Sequence, residues 1–250
     1  MIKRYGPKSP HDDFQGQWLD LKDLEAFMNL VISANPDDVW AIEQLGSGGG
    51  RLLEAGCGAA PFVIYFKRKG YNIDGVDFAE KIVERLNSLY PDLNIFYGDC
   101  TNLFMVPDNT YDGYISLGVI EHLEEGPNKF LEEAYRILKP TGKAWITVPY
   151  IGDRITPIVT KPDAENPEFF ENVFSEEDLV NAVERNGFQV KKIKYTNHNP
   201  IIYQLSKLFR HRKIKWKLNW LGVCVREFLR LVGSKKYAHS IGVLVEKMAG

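Results

Sequence analysis

The residues best placed to do chemistry begin at Leu52-Leu53-Glu54-Ala55-Gly56-Cys57-Gly58-Ala59-Ala60-Pro61, where an apolar strand pattern runs into Gly56-x-Gly58 and a helical pattern follows at once. Glycine serves where backbone must pass close to a ligand, and the amino end of a helix presents free N–H groups to it. Alone the turn is a weak signal, because a tight strand-to-helix turn without a ligand uses the same residues. The dinucleotide-binding pattern also wants Gly or Ala at its sixth position, where this chain has Pro61. Asp77 closes the next strand pattern, nineteen residues beyond Gly58. A carboxylate there can accept both hydroxyls of a ribose lying across the strand tips. Asp99, in Gly98-Asp99-Cys100, follows a third strand pattern and is placed to meet an adenine edge. The fourth pattern, from Tyr111, runs on into Val119-Ile120-Glu121-His122.

The elements that must position these residues can be read from apolar periodicity. A leading arm (1–50) carries two helical stretches, one over Leu19–Ile32 and a short one from Asp37-Asp38 after Pro36, and Gly46–Gly50 closes it as a linker. That glycine run precedes a strand and has no Gly-Lys-Ser/Thr after it, so it is not a phosphate loop. Strands are expected at Leu52–Ala55, Asn72–Val76, Asn94–Tyr97, Gly113–Leu117 and Lys143–Val148, with helices at Pro61–Arg68, Ala79–Leu89 and Asn128–Leu138 between them. Lys139-Pro140-Thr141-Gly142 stops the last of these helices. Such alternation implies a parallel sheet with helices on both faces. After a loop (Tyr150–Phe170), Ser175 and Asp178 suit a capping arrangement for a helix that Gly187 stops; strands follow at Phe188–Tyr195 and Ile241–Val245. Residues 200–237 interrupt the sheet as a basic insertion between those last strands.

Taken together, Glu54-x-Gly56-x-Gly58, Gly75-Val76-Asp77, Gly98-Asp99-Cys100, Val119-Ile120-Glu121-His122 and Leu138-Lys139-Pro140-Thr141-Gly142 make the sequence from about Arg51 to Tyr195, with the final strand, resemble the class I S-adenosylmethionine-dependent methyltransferases. The resemblance is notably to the small-molecule branch that includes the quinone-biosynthesis O-methyltransferases. The resemblance implies an α/β, Rossmann-like sheet, mostly parallel with an antiparallel last strand. It also implies S-adenosyl-L-methionine as cofactor, S-adenosyl-L-homocysteine as product and a small-molecule acceptor. By position, Ala55, Gly56, Cys57 and Gly58 would border the methionine part of the cofactor, with Glu54 supporting the loop and the methionine amino group. Asp77 would hold the ribose, Phe78 would lie beside the adenine, Asp99 and Cys100 would meet the ring, and Leu117 would pack near the sulfonium. The chain departs from the pattern at Ala59-Ala60, where many members keep a third glycine.

Other residues have plainer readings. Glu121 and His122 either cap the following helix or place His122 near substrate as a general base. Asp112 reads as a strand-entry residue, and Cys100 as a small packed side chain with no neighbouring base. Trp18, Phe169, Phe170 and Phe174 read as core or substrate-wall aromatics. His11, His198, His211 and His239 have no metal spacing, and Cys57, Cys100 and Cys224 draw neither a disulfide framework nor a zinc site. No metal is therefore expected.

Composition fits a globular chain, with 44% hydrophobic and 26% charged residues among 250. The longest stretches without Asp, Glu, Lys or Arg, such as Ala55–Phe66, fall well short of the ~18 residues a spanning helix needs. The first fourteen residues lack the apolar core of a secretory signal, so a cytoplasmic protein is expected. The net charge of −2 hides a division, because 200–237 holds ten Lys or Arg against the single acid Glu227. That segment, with Trp216 and Trp220 among its lysines, suits peripheral contact with an anionic membrane; nucleic acid is not expected as a partner, since the rest of the chain is acidic. Oligomeric state stays open. An enzyme transferring methyl to O or N is the leading reading. Its rivals are a cofactor-binding scaffold on the same fold, an RNA-directed methyltransferase using the insertion, and a nicotinamide oxidoreductase, against which Pro61 and the Glu121-His122 strand end argue.

Overall fold

The structure, a computed structural model, describes residues 1–6, 23–152, 168–198, 202, 218–232 and 235–248. In chain order the elements are β1 (Ile2–Gly6), α1 (Leu24–Ala34), α2 (Pro36–Gly46), β2 (Arg51–Ala55), α3 (Pro61–Arg68), β3 (Asn72–Asp77), α4 (Glu80–Leu89), β4 (Ile95–Tyr97), β5 (Tyr111–Leu117), a 3₁₀ turn (Ile120–His122), α5 (Asn128–Ile137), β6 (Leu138–Pro149), β7 (Glu168–Val173), α6 (Glu176–Arg185), β8 (Phe188–Thr196), α7 (Trp220–Leu231), a second 3₁₀ turn (Lys235–Tyr237) and β9 (Ser240–Lys247). A seven-stranded sheet runs in the order β4-β3-β2-β5-β6-β9-β8. Pairing is parallel from β4 through β6, and β9 lies antiparallel to both β6 and β8.

β2 and β5 are buried along nearly their whole length, polar Glu54 and Ser116 included, because helices cover the sheet on each side. Over one face α1–α4 contribute Met28, Ile42, Phe62, Phe66, Ile82 and Leu86 around Leu52, Ile73 and Trp145. Over the other, α5 and α6 contribute Leu131, Ile137, Leu179 and Val183 around Leu53, Tyr114 and Ile146. Ser175 caps α6 reciprocally with Asp178, as its sequence implies.

Three features depart from the sequence reading. The leading arm contains a strand as well as helices: β1 pairs antiparallel with β7 in a separate two-stranded ribbon, with Arg4 opposite Glu171. Their short, mixed sequences carry too little periodicity to announce a strand, and each is satisfied only by a partner far along the chain. Lys139–Gly142 is not a turn before a strand but the opening of β6, which begins at Leu138 and passes Thr141 with φ +62°. Gly50, read as linker, packs tightly: a Cβ there would lie 2.5 Å from Cβ of Asp112, whose carboxylate accepts from Arg51 N and from Lys139 Nζ. Asp112 is thus the strand-entry residue expected. The expected helix start before Asp23, Trp18, and most of 150–170 and 200–217 lie outside the described residues, as do His11 and His211.

Candidate functional site

The parallel strands β2, β3, β4 and β5 end at the same edge of the sheet, and the residues singled out above gather there. Ala55 ends β2, and the chain turns through Gly56 (φ +72°), Gly58 (φ +53°) and Ala60 (φ +55°) before α3 starts at Pro61. The N–H groups of Gly56 and Cys57 both donate to the Val76 carbonyl at 2.8 and 3.0 Å, which folds the loop onto the end of β3. A Cβ on Gly56 would meet Val119 Cγ2 at 2.5 Å, so only glycine permits this approach. Ala60 occupies the left-handed region that a third glycine would fill without strain. For an alanine that conformation costs about 1–2 kcal/mol, offset here by complete burial of its methyl group.

Asp77 ends β3, nearly buried, and clamps the loop from below. Its Oδ2 accepts from Gly58 N at 2.7 Å and its Oδ1 from Ala79 N at 2.9 Å. Burial pushes its pKa up, against the pull of those backbone N–H groups. Glu54, in β2, is also buried and accepts from Val63 N at 3.2 Å. Burial raises its pKa to about 8, opposed by the Val63 N–H and assisted by the negative charges of Asp77 and Asp38. Phe78 is half-buried beside Asp77. Asp99 is exposed after β4, its Oδ1 held by Thr101 N and Oγ1 at 2.8 Å each. Cys57 and Cys100 are buried and burial pushes both thiols well up, so neither is a nucleophile. Leu117 is half-buried at the tip of β5, following Ser116, whose buried Oγ has no partner among the described residues.

Past β5, the 3₁₀ turn brings Glu121 and His122 under the β1–β7 ribbon. His122 Nδ1 lies 2.8 Å from the Phe170 carbonyl, to which it donates, and the ring meets Phe170 edge-on at 5.8 Å. Burial lowers the His122 pKa, opposed by the carbonyls of Phe170 and Gly118. Glu121 is 2% exposed. Phe174 is core, whereas Phe169 and Phe170 line the ribbon half-buried. Sequence reasoning missed Glu171 of the ribbon and Asp38 of α2, whose Oδ1 accepts from Trp145 Nε1 at 2.8 Å. Neither stands near a motif; both reach their places through tertiary packing.

The arrangement suits a nucleoside-type cofactor: a glycine cradle that a Cβ would fill, the amino end of α3 above it, and a buried carboxylate at the neighbouring strand tip. Residues 53–146 match the methyltransferase-domain family. Over 140 residues the chain is 29% identical to a probable S-adenosylmethionine-dependent methyltransferase of Mycolicibacterium smegmatis, an overlap of 56% of this chain and 52% of that protein. It is 26% identical over 130 residues to a ubiquinone biosynthesis O-methyltransferase of Pseudomonas savastanoi pv. phaseolicola, covering 50% and 56% of the two chains. The chain spans about half the length of these curated relatives. A solved SAM-dependent methyltransferase from Archaeoglobus fulgidus shares the fold, with a TM-score of 0.59 at 19% identity over 96% of this chain and 100% of that one. Residues 53–146 thus carry a methyltransferase domain, and the chain has the fold of solved S-adenosylmethionine-dependent methyltransferases. The cofactor that such a domain implies is S-adenosylmethionine.

Proposed function

We propose that the protein transfers a methyl group from S-adenosylmethionine to an oxygen or nitrogen of a small-molecule acceptor by direct in-line displacement. The observation that carries this reading is the loop Gly56–Ala60 held between the Val76 carbonyl and the Asp77 carboxylate at the carboxyl edge of a class I sheet. When bound, the cofactor supplies a methyl already activated on a positive sulfur. The chain's own task is then to bind, orient and exclude water, holding acceptor and methyl about 3–3.5 Å apart.

In this reading Asp77 holds the ribose and Phe78 lies beside the adenine, whose edge Asp99 and Cys100 meet. Ala55, Gly56, Cys57 and Gly58 border the methionine portion, Glu54 supports the loop, and Leu117 packs near the sulfonium. Nδ1 of His122 is committed to Phe170, so Nε2 is the nitrogen that would take a proton from an acidic acceptor. The leading arm, with its ribbon, and the 150–174 segment are the covers on the acceptor side. The ubiquinone-pathway relatives are named as O-methyltransferases, which supports oxygen as the accepting atom. The test is an unbiased screen with labelled S-adenosylmethionine against metabolite, lipid and RNA fractions. Label is expected in a small molecule; label in RNA alone, or in nothing, would overturn the reading.

Peripheral contact with an anionic membrane has its own support. α7 turns Trp220, Phe228 and Leu231 outward, 77%, 64% and 77% exposed, along one stripe of the helix. Lys235 and Lys236 follow it, and six further Lys or Arg stand between 207 and 217 in sequence. No helix among the described residues is long and apolar enough to cross a membrane. Lying in the interface is thus the mode that suits α7.

A further inference from the structure

We infer that the cleft between the start of α2, the end of β8 and α7 is an anchoring subsite for a protonated amine on the methyl acceptor, held by the carboxylate of Asp38. This subsite rests on the methyl-transfer reading, whose acceptor class it names. The cleft encloses about 260 Å³ and is bordered by Asn35, Asp37, Asp38, Thr196, Arg226 and Arg230 among others. Pockets that take a whole ligand run to ~300–1,000 Å³, so this one suits one end of a molecule.

Its place follows from strand direction. β6 and β8 are both antiparallel to β9 and so run the same way, and Pro149 and Thr196 both pair with Ser240. Thr196 therefore lies at the carboxyl edge that also carries Asp77 and Leu117. α2 runs back along the sheet: Leu45, near its end, lies beside Gly113 at the start of β5, and Asp38, in its first turn, reaches Trp145 of β6. Trp145 pairs with Ile115, two residues before Leu117. One strand step of ~4.8 Å and two residues of ~3.3 Å each put Trp145 about 8 Å from Leu117 in the plane of the sheet. An acceptor seated in the cleft by one end can thus present its other end where the sulfonium is set beside Leu117.

Asp38 has an oxygen to offer there. It is 9% exposed; its Oδ1 accepts from Trp145 Nε1 at 2.8 Å, and no hydrogen bond reaches Oδ2 among the described residues. The fully buried side-chain oxygens without a partner lie elsewhere, so Oδ2 reaches the open space that its residue borders. The neighbouring cations are taken by other carboxylates. Lys194 Nζ and Arg230 Nη1 donate to Oδ1 of Asp37 at 2.6 and 3.4 Å, and Arg226 and Arg230 share Glu227. A buried carboxylate is costly unless a positive group meets it, and burial pushes the Asp38 pKa up to about 7. An ammonium brings the charge together with several N–H donors. Asn35 can accept a second of these through its amide oxygen, since its Nδ2 is spent on the Val31 carbonyl at 2.8 Å. A neutral hydroxyl would fill the hydrogen bond and leave the charge unmet.

The test uses the whole chain saturated with S-adenosylhomocysteine, titrated calorimetrically at pH 8 with hexylamine and with its neutral counterpart, hexanol. Hexylamine is expected to bind at least about tenfold more tightly, the scale of one charge-assisted hydrogen bond. Asp38→Asn, which keeps an acceptor for Trp145, is expected to erase that difference. Wild-type affinity for hexylamine should fall about tenfold per pH unit below pH 7, as a proton takes the place of the ammonium, and the variant should lose this slope. Asp37 on the same helix, Glu54 of β2, Lys194 and His198 on the β8 side, and Arg226 and Arg230 of α7 also face Asp38. They are common to both proteins, so a change of slope belongs to Asp38. With labelled S-adenosylmethionine, label is expected in metabolites that a cation exchanger retains. Equal affinity for the two probes, an unchanged ratio in Asp38→Asn, or label confined to unretained metabolites would overturn the subsite. Binding of S-adenosylhomocysteine to the same wild-type protein keeps the readings apart: where it persists only the subsite fails, and its absence would sink the methyl-transfer reading and the subsite with it.

Discussion

Asp38 shows how one buried charge in this fold can be weighed. It sits in the first turn of α2 with Trp145 Nε1 on its Oδ1, and burial raises its pKa to about 7 although that hydrogen bond pulls the other way. A carboxyl whose folded pKa is raised holds a proton that the unfolded chain has already released. Its contribution to stability is therefore complete below the unfolded value near 4 and is lost as pH rises through 7. Glu54, raised to about 8, adds to the loss over the same range and slightly beyond. Asp38→Asn keeps the acceptor for Trp145 and removes the charge. The variant should melt close to wild type at pH 4 and increasingly above it up to pH 7, levelling off beyond. A variant less stable at pH 8 would show that ionised Asp38 is held favourably by its neighbours. At this scale Gly56, Gly58 and Asp77 were legible, because a strand-to-helix turn and a strand end are local features. Ala60 was legible only as a departure from pattern, and φ +55° supplies its physical meaning. Glu171 was not legible, because nothing within its own strand says what it will face.

Among the elements, those whose stabilising contacts are local could be read closely. α3 matches its expected span residue for residue, and the Ser175–Asp178 box marks the start of α6. β1 and β7 could not be read, because a two-stranded ribbon draws its pairing from the other end of the chain. α7 is the element whose sequence and structure leave most unspent: Asn219 caps it through the Gly222 N–H, yet Trp220, Phe228 and Leu231 face solvent. If α7 is the interfacial element, the protein should sediment with anionic vesicles at low salt and less so at high salt. Trp220→Ser with Phe228→Ser should abolish sedimentation without shifting Tm, since both side chains are exposed. Each basic residue near such a surface adds about 1 kcal/mol, so neutral vesicles should retain little protein. Equal pelleting with neutral and anionic vesicles would remove the membrane from the account.

For the molecule as a whole, the parallel sheet matters because it brings the ends of β2, β3, β4 and β5 to one edge and so assembles a site from residues spread over 54–117. Helices cover that sheet on both faces, and the β1–β7 ribbon stands apart from it as a separate two-stranded sheet. The central claim is that this edge binds S-adenosylmethionine. Calorimetric titration of S-adenosylhomocysteine into the wild-type chain and into Asp77→Asn, whose remaining oxygen still accepts from one backbone N–H, tests it most directly. One molecule should bind the wild type, with affinity lowered in the variant by roughly 10- to 150-fold, the loss of a charged hydrogen bond at about 1.5–3 kcal/mol. Wild-type protein that gives neither heat nor a rise in Tm with S-adenosylhomocysteine or S-adenosylmethionine at millimolar concentration would contradict the account.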